Sequence, residues 1–260
     1  MLDAAKPLYI DAHVHLHDPA NALGDLRQAA AGFISAGSDA QPAVVMLAER
    51  AGYDVFNLLQ SELPSTDEPA VLWFLHGSQH LMIVAGRQII TEEGLEVLGL
   101  GSRQILPDGM PLGEVIARLD EADAITVLPW GAGKWLGKRG KIVDACLANS
   151  EPGKIFLGDN GGRPKWWPVR QFKSKFKILS GSDPLPLLGS ASTLGRFGSL
   201  MEFTLPEQKP LQALKQALRQ SGTIIRSYGK LASIPRFIND QSRLRLDQKM
   251  QPGPHRERTA

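Results

Sequence analysis

Apolar residues recur along the chain in two distinct periods, and together they predict an alternation of strands and helices. Tyr9-Ile10-Asp11-Ala12-His13-Val14-His15-Leu16-His17-Asp18 opens as a short β-prone run. Leu23, Leu26, Ala30, Phe33 and Ile34 then recur at helical intervals, so the pattern predicts a helix over Ala22 to Ala36, stopped by Gly37. Ala43 to Leu47 is apolar throughout and predicts a buried strand, and Tyr53 to Leu63 predicts a short helix ended by Pro64. Val71 to Leu75 and Leu81 to Val84 are strand-sized runs parted by Gly77-Ser78, and Leu95 to Leu100 is another. The second half predicts helices over Leu112 to Ala122, Ile142 to Ala148 and Pro210 to Gln220. Its strands are expected over Ala124 to Leu128, Ile155 to Leu157 and Lys177 to Leu179.

Strands alternating with helices imply a largely parallel sheet whose chemistry gathers at the strand C-termini. The fold class expected is therefore α/β, a (β/α) TIM-barrel-like architecture of seven or eight strands, distorted where the runs are short. An open doubly wound sheet is the second choice. A chain of 260 residues fits one such unit. Residues 1–240 are assigned to it, and residues 241–260, with Gln251-Pro252-Gly253-Pro254-His255-Arg256-Glu257-Arg258, to a basic, disordered tail.

Composition narrows the picture further. Hydrophobic residues make up 43% and charged residues 22%, which are globular values. The formal net charge of +2 argues against a nucleic-acid partner. Cys146 is the single cysteine, so neither an internal disulfide nor a cysteine-based zinc site is available. With no basic segment leading into an apolar one at the start, and apolar runs too short for a membrane span, a cytoplasmic protein is expected, with no membrane partner.

The candidate chemistry begins in the first strand. Alternate residues of a strand share a face, so His13 and His15 can aim two imidazoles at one point, half of a site for a divalent ion such as Zn, Mn or Fe. Two neighbouring histidines packing at a strand end is the plain alternative. Three later loops follow predicted strands. Ser180-Gly181-Ser182-Asp183-Pro184 offers Asp183, which can complete a His13, His15, Asp183 set and take a proton during catalysis. Leu157-Gly158-Asp159-Asn160-Gly161-Gly162-Arg163 offers Asp159 as an assisting carboxylate, Asn160 as a polar contact and Arg163 as an anion clamp. Pro129-Trp130-Gly131-Ala132-Gly133-Lys134 offers Trp130 as a pocket wall and Lys134 as a cation, without a phosphate-loop signature. His80, ahead of a new strand, is an accessory candidate.

Ile10-Asp11-Ala12-His13-Val14-His15 and Gly181-Ser182-Asp183-Pro184 resemble the first-strand and last-strand metal motifs of the amidohydrolase and PHP (polymerase and histidinol phosphatase) type metal-dependent hydrolases. Ala85-Gly86-Arg87-Gln88-Ile89 is similar to the PHP strand that supplies a bridging carboxylate, and Gln88 stands at that position. The resemblance implies a metal-dependent hydrolase acting on an ester, amide or phosphoester of a small, anionic substrate, with Gln88 beside the metal. A neutral Gln88, and no histidine between His80 and His255, imply one ion rather than a bridged pair. A barrel that has lost catalysis and binds a ligand or protein, and an amidohydrolase-like decarboxylase or lyase, are the competing expectations.

Overall fold

The computed structural model describes residues 7–38 and 42–250. The first half contains β1 (Pro7–Val14), α1 (Ala22–Ala36), β2 (Ala43–Leu47), α2 (Val55–Gln60), β3 (Val71–His76), β4 (Gln79–Val84), β5 (Gly86–Ile90) and β6 (Glu96–Leu100). The second half contains α3 (Leu112–Glu121), β7 (Ile125–Pro129), α4 (Gly137–Ala148), β8 (Ile155–Gly158), β9 (Phe197–Glu202), α5 (Pro210–Arg219), β10 (Arg226–Gly229) and α6 (Ile234–Met250). The expected tail boundary at residue 241 falls within α6, and the run from Gln251 to Ala260, His255 included, lies outside the described residues.

These strands form a mixed α/β fold of two sheets, and the expected TIM-like barrel is overturned. A six-stranded sheet has the order β10-β9-β1-β2-β4-β3, a four-stranded sheet the order β5-β6-β7-β8, and the described residues form no closed barrel. Among the described strands, β1–β2, β2–β4 and β7–β8 pair parallel and the other pairs are antiparallel. Connection length is the physical reason. A parallel crossover needs about a dozen residues, whereas Gly77-Ser78 joins β3 to β4, Ala85 alone joins β4 to β5, and Thr91 to Leu95 joins β5 to β6. Such links permit hairpins and sharp sheet changes, not the repeating strand-helix unit of a barrel.

The core falls into two clusters, and the larger one also takes in Leu98, Leu100, Ile125, Val127 and Phe156 of the smaller sheet. The larger sheet packs with α1, α2 and α5 around Ile10, Leu26, Phe33, Val45, Ile83 and Leu214, all fully buried or nearly so. The smaller packs with α3 and α4 around Val97, Val115, Leu128, Val143 and Leu157. α1 shows how pattern becomes packing. Leu26, Ala29, Ala30 and Phe33 line its buried face, and Gly37 ends it at φ 103°, its N–H bonded to the Ile34 carbonyl while Ser38 N–H bonds Phe33. Removing one of these buried side chains, as in Leu26→Ala, costs about 2–5 kcal/mol in such positions.

The sheets meet at both flanks of the site. Glu49, just past β2, bridges to Arg87 of β5. On the other side the stretch 177–183, of which Lys177 to Leu179 is the expected strand and the rest the expected loop, runs as an extended segment between β8 and β1. Leu179 N–H bonds Leu157 O at 2.8 Å and Gly181 N–H bonds Asp159 O at 3.0 Å on one edge. Ala12 N–H bonds Ser180 O at 3.2 Å, and Asp183 N–H bonds His13 O at 2.8 Å, on the other.

Candidate metal centre

β1 pairs with β2 in register from Tyr9 to Asp11, then slips: Asp11 stands opposite Val45 and Val14 opposite Leu47. The extra residue falls at Ala12 and His13, whose backbone groups bond the 180–183 segment instead. Irregularities of this kind re-aim side chains at sheet ends. Gly181 makes the approach possible, because a Cβ there would lie 2.2 Å from His13 N, closer than any side chain tolerates.

The result is a cluster drawn from distant parts of the chain. His13 Nε2 and His15 Nε2 are 3.0 Å apart, and each lies 3.6 Å from Asp183 Oδ1. Gln88 Oε1 is 3.3 Å from His13 Nε2. Asn160 Nδ2 donates to Asp183 Oδ2 and to the Trp130 carbonyl, both at 2.9 Å, which fixes the carboxylate from behind. Asp183 itself sits at φ 47°, a region where Asp is better tolerated than most residues, and Pro184 follows.

This donor set fits a divalent cation. The two imidazole nitrogens and one carboxylate oxygen all lie within 4.8 Å of one another. Two donors each about 2.1 Å from a common ion stand roughly 3.0–3.4 Å apart for angles between octahedral and tetrahedral; the His13–His15 separation lies at the lower end of that range, and the two 3.6 Å distances to Asp183 lie just beyond its upper end. Burial, with His13, His17 and Arg50 adding to it, holds the His15 imidazole well below its ordinary pKa, so it is neutral with a lone pair available. His17 is turned away: it bonds the Pro184 carbonyl at 2.7 Å and meets Arg50 at 3.2 Å.

Asp11 is the functional residue whose role the sequence left unassigned. It is fully buried, and its two oxygens accept the backbone N–H groups of Ser182 at 2.7 Å and Gly195 at 3.0 Å. Burial pushes its carboxyl up to about 6, and the hydrogen bonds from Ser182, Gly195 and His13 pull the other way. The signal was a charged residue inside an otherwise apolar strand, where a carboxylate persists only if it has partners.

The other sequence candidates distribute unevenly. Asp159 and Arg163 face each other in a bidentate pair, with Nε 2.6 Å from Oδ1 and a terminal nitrogen 2.7 Å from Oδ2; Asn160 N–H also bonds that carboxylate. Arg163 further donates to the Trp167 carbonyl at 2.7 Å. Lys134 pairs with Glu96. Trp130 is buried, edge-on to Trp167 at 5.7 Å between ring centres. His80 lies at the hairpin end of β4, beside the Leu81–Ala43 pairing that begins β2, whereas the cluster lies beyond the opposite end of β2.

No family model matches this chain, and no curated protein matches it. Solved structures do. PsfC from Pseudomonas syringae PB-5123 superposes with a TM-score of 0.55 at 15% identity, over 94% of this chain and all of that one. The lesion-specific endonuclease PfuEndoQ from Pyrococcus furiosus superposes with a TM-score of 0.53 at 12% identity, over 85% of this chain. The chain spans 58% of that endonuclease's length. These likenesses are of fold. They overturn the exclusion of nucleic acid drawn from net charge, since an endonuclease is built on this architecture; a net +2 sums the whole surface and is silent about local clusters. Among the described residues no helix is long and apolar enough to cross a membrane.

Proposed function

We propose that the protein is a metal-dependent hydrolase, with His13, His15 and Asp183 holding one divalent ion. The observation that carries this reading is the convergence of two imidazoles, one from β1 and one from the residue just past its end, and a carboxylate from the 180–183 segment on one point. The hydrolase fold relative adds support at the level of architecture. When bound, a divalent cation supplies Lewis acidity and a nucleophile at neutral pH.

The chain's own groups divide the remaining work. Asp183 Oδ1 faces both imidazoles while its Oδ2 is held by Asn160, so Asp183 is the carboxylate placed to accept a proton. Gln88 contributes a neutral amide oxygen beside His13, which suits a single ion. Asp159 and Arg163 neutralise one another, so in this reading they brace the wall of the site instead of serving as base and clamp.

Elemental analysis of tag-free protein tests the proposal. One equivalent of Zn, Mn or Fe is expected, falling to background in a His13→Ala/His15→Ala variant. Hydrolysis should then be assayed on p-nitrophenyl acetate, p-nitrophenyl phosphate, bis(p-nitrophenyl) phosphate and a lesion-bearing DNA duplex. Metal-dependent turnover of any of these that is lost in Asp183→Asn supports the reading. Metal content indifferent to the two histidines overturns it.

A further inference from the structure

Most cations near the cluster are already committed: Arg163 to Asp159, Lys134 to Glu96, Arg87 to Glu49 and Asp54, Arg50 to His17. A different group of cations is largely unpaired. A cavity of about 360 Å³ is lined by Arg196, Lys230 and Arg236 together with Ser182, Thr193 and Phe197, and no carboxylate lines it. Arg196 and Lys230 have no ion-pair partner among the described residues, and Arg236 meets only Asp240, at 3.6 Å. Two unpaired cations and a third that meets only a carboxylate of its own helix, around a cavity without a carboxylate on its wall, make a positive concavity that attracts an anion.

We infer that this cavity is a subsite for a phosphate group of the substrate, adjoining the bond that reacts but separate from it. The inference rests on the hydrolase reading and deepens it. The cavity touches the cluster through the chain itself, because Ser182 precedes Asp183 and Gly161, also on its wall, follows Asn160. Asp11 sets the spacing: one of its oxygens holds Ser182 and the other holds Gly195, the residue before Arg196. Lys230 is carried by a segment tied back to the Asp159–Arg163 turn through the Ala232 N–H to Arg163 O bond of 3.1 Å. None of His13, His15 and Asp183 lines the cavity, so the anion held there is not the reacting group.

Phosphate suits these walls better than carboxylate. It carries up to about two negative charges and three acceptor oxygens, which match two guanidinium groups, an ammonium and flanking hydroxyls. A carboxylate, with one charge and two oxygens, would leave cations unpaired. Arg196, Lys230 and Arg236 thereby act on specificity and not on the chemical step.

The test uses the full chain, tag removed, and two separate probes. Inorganic phosphate is titrated calorimetrically into chelator-stripped protein, and uptake of Zn, Mn and Fe is measured in parallel. Wild type is expected to bind phosphate, Arg196→Ala and Lys230→Ala to weaken it at least tenfold, and Arg196→Lys to restore most of the loss, with metal uptake unchanged throughout. Phosphate affinity that is undetectable in wild type, or unaffected by these variants, alongside normal metal uptake, overturns the subsite and leaves the hydrolase reading standing. Wild-type protein that binds phosphate through Arg196 but takes up none of Zn, Mn and Fe overturns the hydrolase reading and, with it, the role as a substrate subsite. Displacement of bound phosphate by glucose 6-phosphate or by a single-stranded oligonucleotide supports the subsite in either case and separates a small substrate from a strand.

Discussion

Asp11 Oδ1 accepts the backbone N–H of Ser182 across 2.7 Å, joining the first strand to the segment that delivers Asp183. Its other oxygen holds Gly195, so one buried carboxylate serves two incoming backbones. Asp11→Ala leaves two N–H groups without acceptors, each costing about 1–3 kcal/mol when buried. The expected result is a clear drop in urea midpoint together with reduced zinc uptake. An unchanged midpoint would show that the two N–H groups find other partners.

Gly181→Ala places a methyl group 2.2 Å from His13 N. Backbone cannot yield as a flexible side chain does, so the 180–183 segment must move away from β1, at about 1–3 kcal/mol. Zinc uptake should fall by at least tenfold while far-ultraviolet circular dichroism is retained. Wild-type uptake would mean that the close approach is not needed to place Asp183.

Two substitutions at Asp183 separate charge from backbone. Asparagine also tolerates φ near 47°, so Asp183→Asn should lose metal uptake and yet melt within about 1 °C of chelator-stripped wild type. Asp183→Ala should lose metal and, in addition, about 1–2 kcal/mol for an unfavourable left-handed residue. Equal stability of the two variants would remove the argument from backbone strain.

Asp159 and Arg163 are both largely buried, with side-chain exposures of 7% and 12%. Arg163→Ala leaves an unpaired buried carboxylate and should destabilise by about 3–5 kcal/mol, part of it recovered in Asp159→Asn/Arg163→Met. Loss of turnover in Asp159→Asn with an unchanged melting temperature would instead identify Asp159 as a catalytic base.

Acid should expose a different ion pair. Burial works to raise the Asp123 carboxyl, but hydrogen bonds and charge from Arg219 and Lys215 outweigh it and hold the group below its usual range. The folded state thus favours the ionised form, and its stabilising effect is complete above the ordinary carboxylate pKa and is lost as pH falls through the lowered one. Because the Asp123 side chain is 62% exposed, solvent screening keeps the effect small. Asp123→Asn should lower the melting temperature at pH 7 by up to about 2–4 °C, and the difference should shrink towards pH 3. A difference that persists unchanged at pH 3 would argue against an electrostatic origin.

Much of the site was legible in sequence because its signals are local. The strand period gives His13 and His15 a common aim, small residues around Asp183 permit close approach, and Gln88 marks a strand beside them. The sheet arrangement was not, because apolar runs such as Leu81 to Val84 look alike whether their neighbours are parallel or antiparallel. Only the lengths of the links, two residues at Gly77-Ser78 and one at Ala85, carried that information. β9 and β10, which place Arg196 and Lys230 close to Ser182, have no motif that connects them to the first strand. Asp11 was visible as a residue but not as a joint, since its partners lie near the other end of the chain.

The donors from β1 and from the segment after β8 are near neighbours in space and far apart along the polypeptide. An ion gripped by both would cinch the chain into a loop spanning most of its length, a contact unavailable to the unfolded coil. Removing it with a chelator should therefore loosen the whole molecule as well as silence it, and resistance to heat and to proteases should rise and fall with the metal supply.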